Sequence, residues 1–211
     1  MAGRYETVIV GGGVAGLACA RRLHDSQRSF LLITENVGGR IRTSADGTVN
    51  LGAYYVRNDY NHVNRFVDRG RRIKRRDTLR GNADGSFTRS DMSLLAHPIQ
   101  AVRFVRALRT FRRHYETFKQ QCLTMSQAEA IQADPLLREL YHEPATQFIQ
   151  RYRIEDIARA YIAPVAQGTA FTSVDRSTAF TMLVGVLPLI VPMFEYVPRF
   201  DLLTAGFEDD L

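Results

Sequence analysis

The chain has 211 residues, 45% of them apolar and 24% charged, a balance that excludes disordered, collagen-like and coiled-coil classes and leaves a globular protein able to bury a core. Twenty-eight basic residues stand against 22 acidic ones, for a net charge of +6, and every basic residue except Lys74 and Lys119 is an arginine. Guanidinium forks suit phosphates and carboxylates, yet a general bias toward arginine produces the same excess with no anionic partner.

Met1 to Glu6 holds no apolar leader, and Cys19 and Cys122 sit in no Cys-x-x-Cys or zinc-ligand spacing. Together these predict a cytoplasmic protein with two buried thiols and no metal site. Tyr5–Val10 predicts a buried strand, Val14–His24 a helix and Ser29–Thr34 a second strand, a β-α-β opening. Short strands are expected around Arg40–Thr43 and Val49–Val56. A helix from Asn61 to about Asp68 follows, then a strand, then a turn at Asp84-Gly85 that feeds Ser86–Arg89. From Met92 the pattern is helical: Val102, Val105, Leu108, Phe111, Tyr115 and Phe118 fall three and four apart and predict one apolar face. Ser126 with Glu129 reads as a capping box. Further helices are expected over Ile154–Pro164, Ser177–Leu187 and from Phe200 onward. Met182–Phe194 is the most apolar stretch, but it is only thirteen residues long and holds Pro188 and Pro192, too short and too broken to cross a bilayer. A buried core segment is the better reading, with a substrate channel or a dip into a membrane surface as alternatives.

Gly11, Gly13 and Gly16 form Gly-x-Gly-x-x-Gly directly after the first strand and at the opening of the first helix, the context that a dinucleotide fingerprint needs. Gly11 permits the tight turn, Gly13 lets a pyrophosphate approach the backbone and Gly16 lets the helix lie close on the sheet. The helix N-terminus then faces the anion. An acidic residue about twenty positions on should accept from ribose hydroxyls. Glu35 stands there, although an ungapped count from Gly11 places Thr34 at that position. Beyond it, Gly38-Gly39-Arg40-Ile41-Arg42-Thr43 again permits close backbone approach and offers a guanidinium to phosphate oxygens.

With Asn50-Leu51-Gly52-Ala53-Tyr54-Tyr55 these runs make three ordered motifs, and the stretch resembles the N-terminal FAD-binding region of the flavin-containing amine oxidase, phytoene desaturase and protoporphyrinogen oxidase superfamily. The resemblance implies an α/β, Rossmann-like FAD-binding domain over residues 1–60, with an inserted, mostly helical substrate domain over 61–211. It implies that Gly11, Gly13, Val14, Ala15 and Gly16 cradle the FAD pyrophosphate and that Glu35 holds the adenosine ribose. Gly39 and Arg40 would contact the diphosphate, with Gly52, Ala53 and Tyr54 near the flavin. Asn50 replaces the family's aspartate, and nothing after Phe200 resembles the family's return to the FAD domain, so the C-terminal half of the family fold is expected to be missing.

The function so implied is an FAD-dependent oxidoreductase that moves a hydride from a substrate C–N or C–C unit to flavin N5, with a small molecule as substrate, lipophilic ones included, and no catalytic side chain identified. The alternative is a non-catalytic dinucleotide-binding or interaction protein that self-associates or pairs with another chain. A nicotinamide-dependent dehydrogenase is disfavoured because it gives Gly38-Gly39-Arg40 no role. His142-Glu143 lacks the second histidine of a metalloprotease motif, since position 146 is Thr146. The arginines at 69, 71, 72, 75 and 76 with Lys74, and those at 103, 106, 109, 112 and 113, form basic runs. They read as solvated faces rather than a nucleic-acid site, and peripheral membrane contact stays open.

Overall fold

A computed structural model describes residues 4–41, 44, 49, 52, 53, 55–60, 63, 66–77, 79–81, 84–89, 94–170 and 172–207. The chain divides into two compact units, Met1–Arg72 with Met193–Leu211, and Ile73–Pro192. The first therefore runs beyond the boundary expected at residue 60 and takes back the C-terminal segment.

In the first unit, β1 (Thr7–Val10) and β2 (Phe30–Ile33) pair in parallel, Thr7 opposite Phe30 and Val10 opposite Ile33. Parallel neighbours need a crossover, and α1 (Val14–Asp25) supplies it. Its inner face is small, with Leu17 and Ala20 fully buried. Cys19 is exposed on α1 and Cys122 is half-buried, which corrects the expectation of two buried thiols. Residue 19 lies about 200° around the helix from Leu17, away from the sheet.

A second sheet in this unit has the order β3 (Val56–Arg57), β7 (Met193–Pro198), β4 (Val67–Ile73). Val67 and Asp68 are thus strand, not the end of the expected helix; residues 61, 62, 64 and 65 lie outside the described set. β4 takes its pairing from β7, more than a hundred residues away, a partner that no local pattern announces. Arg40 lies in a turn because Gly38 and Gly39 have φ of 101° and 59°, so the strand expected at Arg40–Thr43 does not start there. After β7, α9 (Phe200–Thr204) packs on α1 and buries Leu203. The tail is pinned by Arg21, which donates to the Ala205 carbonyl at 2.7 Å, and by Phe207 edge-on to Phe30 at 5.3 Å.

The second unit carries a hairpin, β5 (Leu79–Gly81) with β6 (Phe87–Arg89), turned at Asp84-Gly85 as expected. Helices follow: α2 (Pro98–Gln121), α3 (Gln127–Ala133), α4 (Pro135–His142), α5 (Ala145–Tyr152) and α6 (Glu155–Ile157). A π turn over Ala158–Ile162 leads into α7 (Ala163–Ala170), and α8 (Ala179–Val186) closes the series. The Ser126–Glu129 capping box is present at α3. On α2 the buried residues are Phe104, Ala107, Leu108, Phe111 and Phe118, whereas Val102 is 52% exposed. Val105 and Tyr115 pack half-buried against the same core, so the expected face holds except at Val102, and Phe104 and Ala107 join it. Met182, Leu183, Val186, Leu187, Leu189 and Val191 are buried, so this part of the apolar stretch is core. Pro164 has no N–H for the carbonyl of Ala160, and Arg80 of the hairpin donates to it instead at 2.8 Å.

Candidate functional site

The groove lies where β1 and β2 end. It has a volume of about 1050 Å³ and is lined by Val10, Gly11–Gly13, Ile33–Asn36, Gly39, Arg40 and Gly52. That is at the upper end of ordinary ligand pockets and roomy enough for a dinucleotide. Gly11 leaves β1 with φ of 106° and donates its N–H to the Ile33 carbonyl at 2.8 Å. Such a φ admits glycine at little cost, so the residue is required by the turn itself. Gly13 is the N-cap of α1, and α1 has no acidic residue in its first turn. The N–H groups of that turn have no partner within the helix and carry its positive end.

The other glycines answer to packing. A Cβ on Gly12 would stand 2.6 Å from Thr34 Oγ1, and one on Gly39 would stand 2.9 Å from Gly13 Cα. One on Gly16 would overlap the Gly11 carbonyl, and one on Gly52 the carbonyl of Arg40. Gly13 differs: the nearest atom to its Cβ position is 4.0 Å away. The fold tolerates a side chain there, so the absence of one leaves groove space beside the helix N-terminus, a cradle that suits a phosphate.

The polar groups fit the same occupant. Arg40 is exposed, and among the described residues no carboxylate pairs with it. Glu35 is likewise exposed and pairs with no cation among the described residues. A guanidinium and a helix N-terminus for a diphosphate, with a carboxylate to accept from hydroxyls, is the donor and acceptor set that a dinucleotide requires.

The structure brings Gly11, Gly13, Glu35, Gly39, Arg40 and Gly52 to one groove. Val14 and Ala15 stand in the first turn of α1, Gly16 lies beneath Gly11, and Ala53 lies against the Tyr196 phenol, whose pKa burial raises despite the Ala53 backbone. Tyr54, Arg42, Thr43, Asn50 and Leu51 lie outside the described residues. Sequence reasoning missed Gly12, whose N–H donates to Thr34 Oγ1 at 2.9 Å, while that hydroxyl donates to the Asn36 carbonyl at 2.8 Å. The run of three glycines was the available signal. It also missed Phe200, whose ring sits where a Cβ on Gly38 would be, 2.7 Å away; nothing in the local sequence links those two positions.

Residues 9–69 match the family described as NAD(P)-binding Rossmann-like domain. The chain is 37% identical over 71 residues to flavin-containing amine oxidase B of Bos taurus and 36% identical over 72 residues to that of Homo sapiens. Those stretches cover 31% and 32% of this chain, and 14% of each relative. Its backbone is similar to that of wild-type putrescine oxidase bound to putrescine, with a TM-score of 0.58 and 15% identity across 94% of this chain and 47% of that one. A triple mutant from a redesign of cofactor binding in putrescine oxidase gives 0.56 and 17%, across 87% and 41%. At that identity the likeness speaks for the fold: an α/β, Rossmann-like architecture that spans less than half the length of these neighbours.

Proposed function

We propose that this chain, which carries the N-terminal dinucleotide-binding part of the flavin-containing amine oxidase superfamily, holds FAD along the β1–β2 groove and contributes to the oxidation of an amine. The observation that carries the proposal is Gly13: its missing side chain is required by nothing in the fold and opens space at a helix N-terminus in the groove that Arg40 also lines. FAD, when bound, supplies a two-electron acceptor for a substrate C–N or C–C bond, through hydride transfer to flavin N5.

The residues of this chain do the binding and the orienting. The first turn of α1 and Arg40 hold the diphosphate, and the Glu35 carboxylate accepts from the ribose. Thr34 fixes the glycine loop through Gly12, and the contact of Gly13 with Gly39 sets the distance between the two glycine motifs. Val10 and Ile33, 81% and 51% exposed, give the groove an apolar wall.

The flavin's own visible absorbance and fluorescence report binding. Titration of the protein with FAD should show saturable binding, and Arg40→Ala should weaken it by on the order of tenfold to a hundredfold, the worth of a charge-assisted contact. Equal affinity in the variant would overturn the placement of the diphosphate. A second reading, a dinucleotide-binding protein completed by another chain, is favoured by Val8 at 56% exposed on the same strand face as Val10. A concentration-dependent sedimentation coefficient that rises on FAD addition would favour it.

A further inference from the structure

α2 presents an outer face to solvent that the amine-oxidation reading does not use. Ile99 and Val102 are 68% and 52% exposed near its start. Arg106, Arg109 and Arg113 are exposed along the same side, with Arg103 at its margin. At 100° per residue these six positions fall within an arc of roughly 120° and extend for about 21 Å along the helix. Arg103 donates to the Arg153 carbonyl at 3.4 Å, and among the described residues no carboxylate pairs with Arg106, Arg109 or Arg113. The helix's single acid, Glu116, is turned to Arg112 at 3.9 Å and Lys119 at 2.9 Å and leaves the stripe uncompensated.

We propose that this face of α2 docks on an anionic membrane surface, the arginines at the level of acidic headgroups and Ile99 with Val102 entering the acyl boundary. The charge asks for an anionic partner. The aliphatic end distinguishes which one, because branched alkyl side chains gain burial in lipid and find no equivalent along a phosphodiester backbone. An amphipathic helix with arginine on one side and apolar residues at one end lies in the interface plane rather than across it. The opposite face, led by Phe104, Phe111 and Phe118, stays in the core of the unit.

The test is co-sedimentation of the full chain with vesicles of phosphatidylcholine mixed with phosphatidylglycerol, against vesicles of phosphatidylcholine alone. Binding is expected only to the anionic vesicles and should weaken as salt rises. A triple variant, Arg106→Glu, Arg109→Glu and Arg113→Glu, should lose on the order of a hundredfold in partition, since each arginine near such a surface contributes about fivefold. The charge-matched variant Arg138→Glu, Arg159→Glu, Arg176→Glu, on exposed positions elsewhere in the same unit, should keep most of the binding. Ile99→Ser with Val102→Ser should remove the part that persists at high salt. Circular dichroism would verify that each variant is folded. No binding to anionic vesicles, equal loss in the charge-matched variant, or binding to a DNA duplex with vesicles unbound would each overturn the proposal.

Discussion

Five of the eleven residues that line the groove of the first unit are glycines, whereas the core of the second unit is made by large side chains. Around the groove, Gly12, Gly16, Gly38, Gly39 and Gly52 each occupy a place where a Cβ would collide with a neighbour. In the helical unit, Phe104, Phe111, Phe148 and Leu183 are at most 1% exposed and define the packing by their volume. A site built on backbone approach is specified at single positions and fails sharply; a core built on volume is specified by pattern and yields by degrees.

The largest effect should come from emptying the core. Phe148 is 1% exposed and lies tilted against Tyr152, ring centroids 4.4 Å apart, so Phe148→Ala should cost about 3–5 kcal/mol in urea unfolding. A loss below about 1 kcal/mol would mean the helices can close over the cavity.

Next come two glycines three positions apart. Gly16→Ala gains up to about 1 kcal/mol of helix propensity. It drives a methyl onto the Gly11 carbonyl, an overpacking that costs about 1–3 kcal/mol and must also disturb the groove. Gly13→Ala meets only Gly39 Cα, at an unstrained 4.0 Å, and should leave the melting temperature unchanged while lowering FAD affinity. If Gly13→Ala destabilises as much as Gly16→Ala, the distinction between packing glycine and ligand glycine is lost.

A smaller effect probes the π turn. Removing the Arg80 donor by Arg80→Met should cost about 1 kcal/mol by leaving the Ala160 carbonyl without it. In a Pro164→Ala background, where an N–H four residues on is restored, the same substitution should be nearly silent. Additive losses in that double-mutant cycle would rule out the substitution of one donor for the other.

The smallest concerns pH. Asp134 ends α3, starts α4, accepts from the N–H groups of Leu136 and Leu137 at 3.0 Å and lies 2.7 Å from His114 Nδ1. Burial pushes its pKa up, but His114 and the two N–H groups outweigh this and hold it below the ordinary value. A carboxylate with a lowered folded-state pKa contributes stability that is present above the unfolded value of about 4 and is lost as pH falls through the folded one. Asp134→Asn should flatten that acid limb, and an unchanged slope would assign it elsewhere.

How far each of these features could be read from the chain follows from how local it is. The first β-α-β passage, the glycine fingerprint and the Ser126 capping box involve partners within about twenty-five residues, and their positions are legible in order. The exposure of Cys19 and of Val102 depends on how far round its helix a distant surface reaches. β4 beside β7, Phe200 against Gly38 and Arg80 on Ala160 join residues that no period connects. Within the groove, Gly11, Gly13 and Arg40 could be singled out because their motif is contiguous. Gly12 with Thr34 could not, since the hydroxyl acts through its position at the end of a neighbouring strand.

The return of residues 193–207 to the first unit also bears on the order in which the molecule is made. The helical unit, Ile73–Pro192, is continuous in the chain and is complete once its last turn has left the ribosome. β1, α1 and β2 are synthesised before it, yet β7 and the ring of Phe200 that seats on Gly38 come after it. At typical elongation rates of about 5–20 residues per second, the intervening stretch takes roughly 6–24 s to emerge. For that interval the glycine turns stand without the ring of Phe200, and the groove waits on a segment translated well after its own motifs.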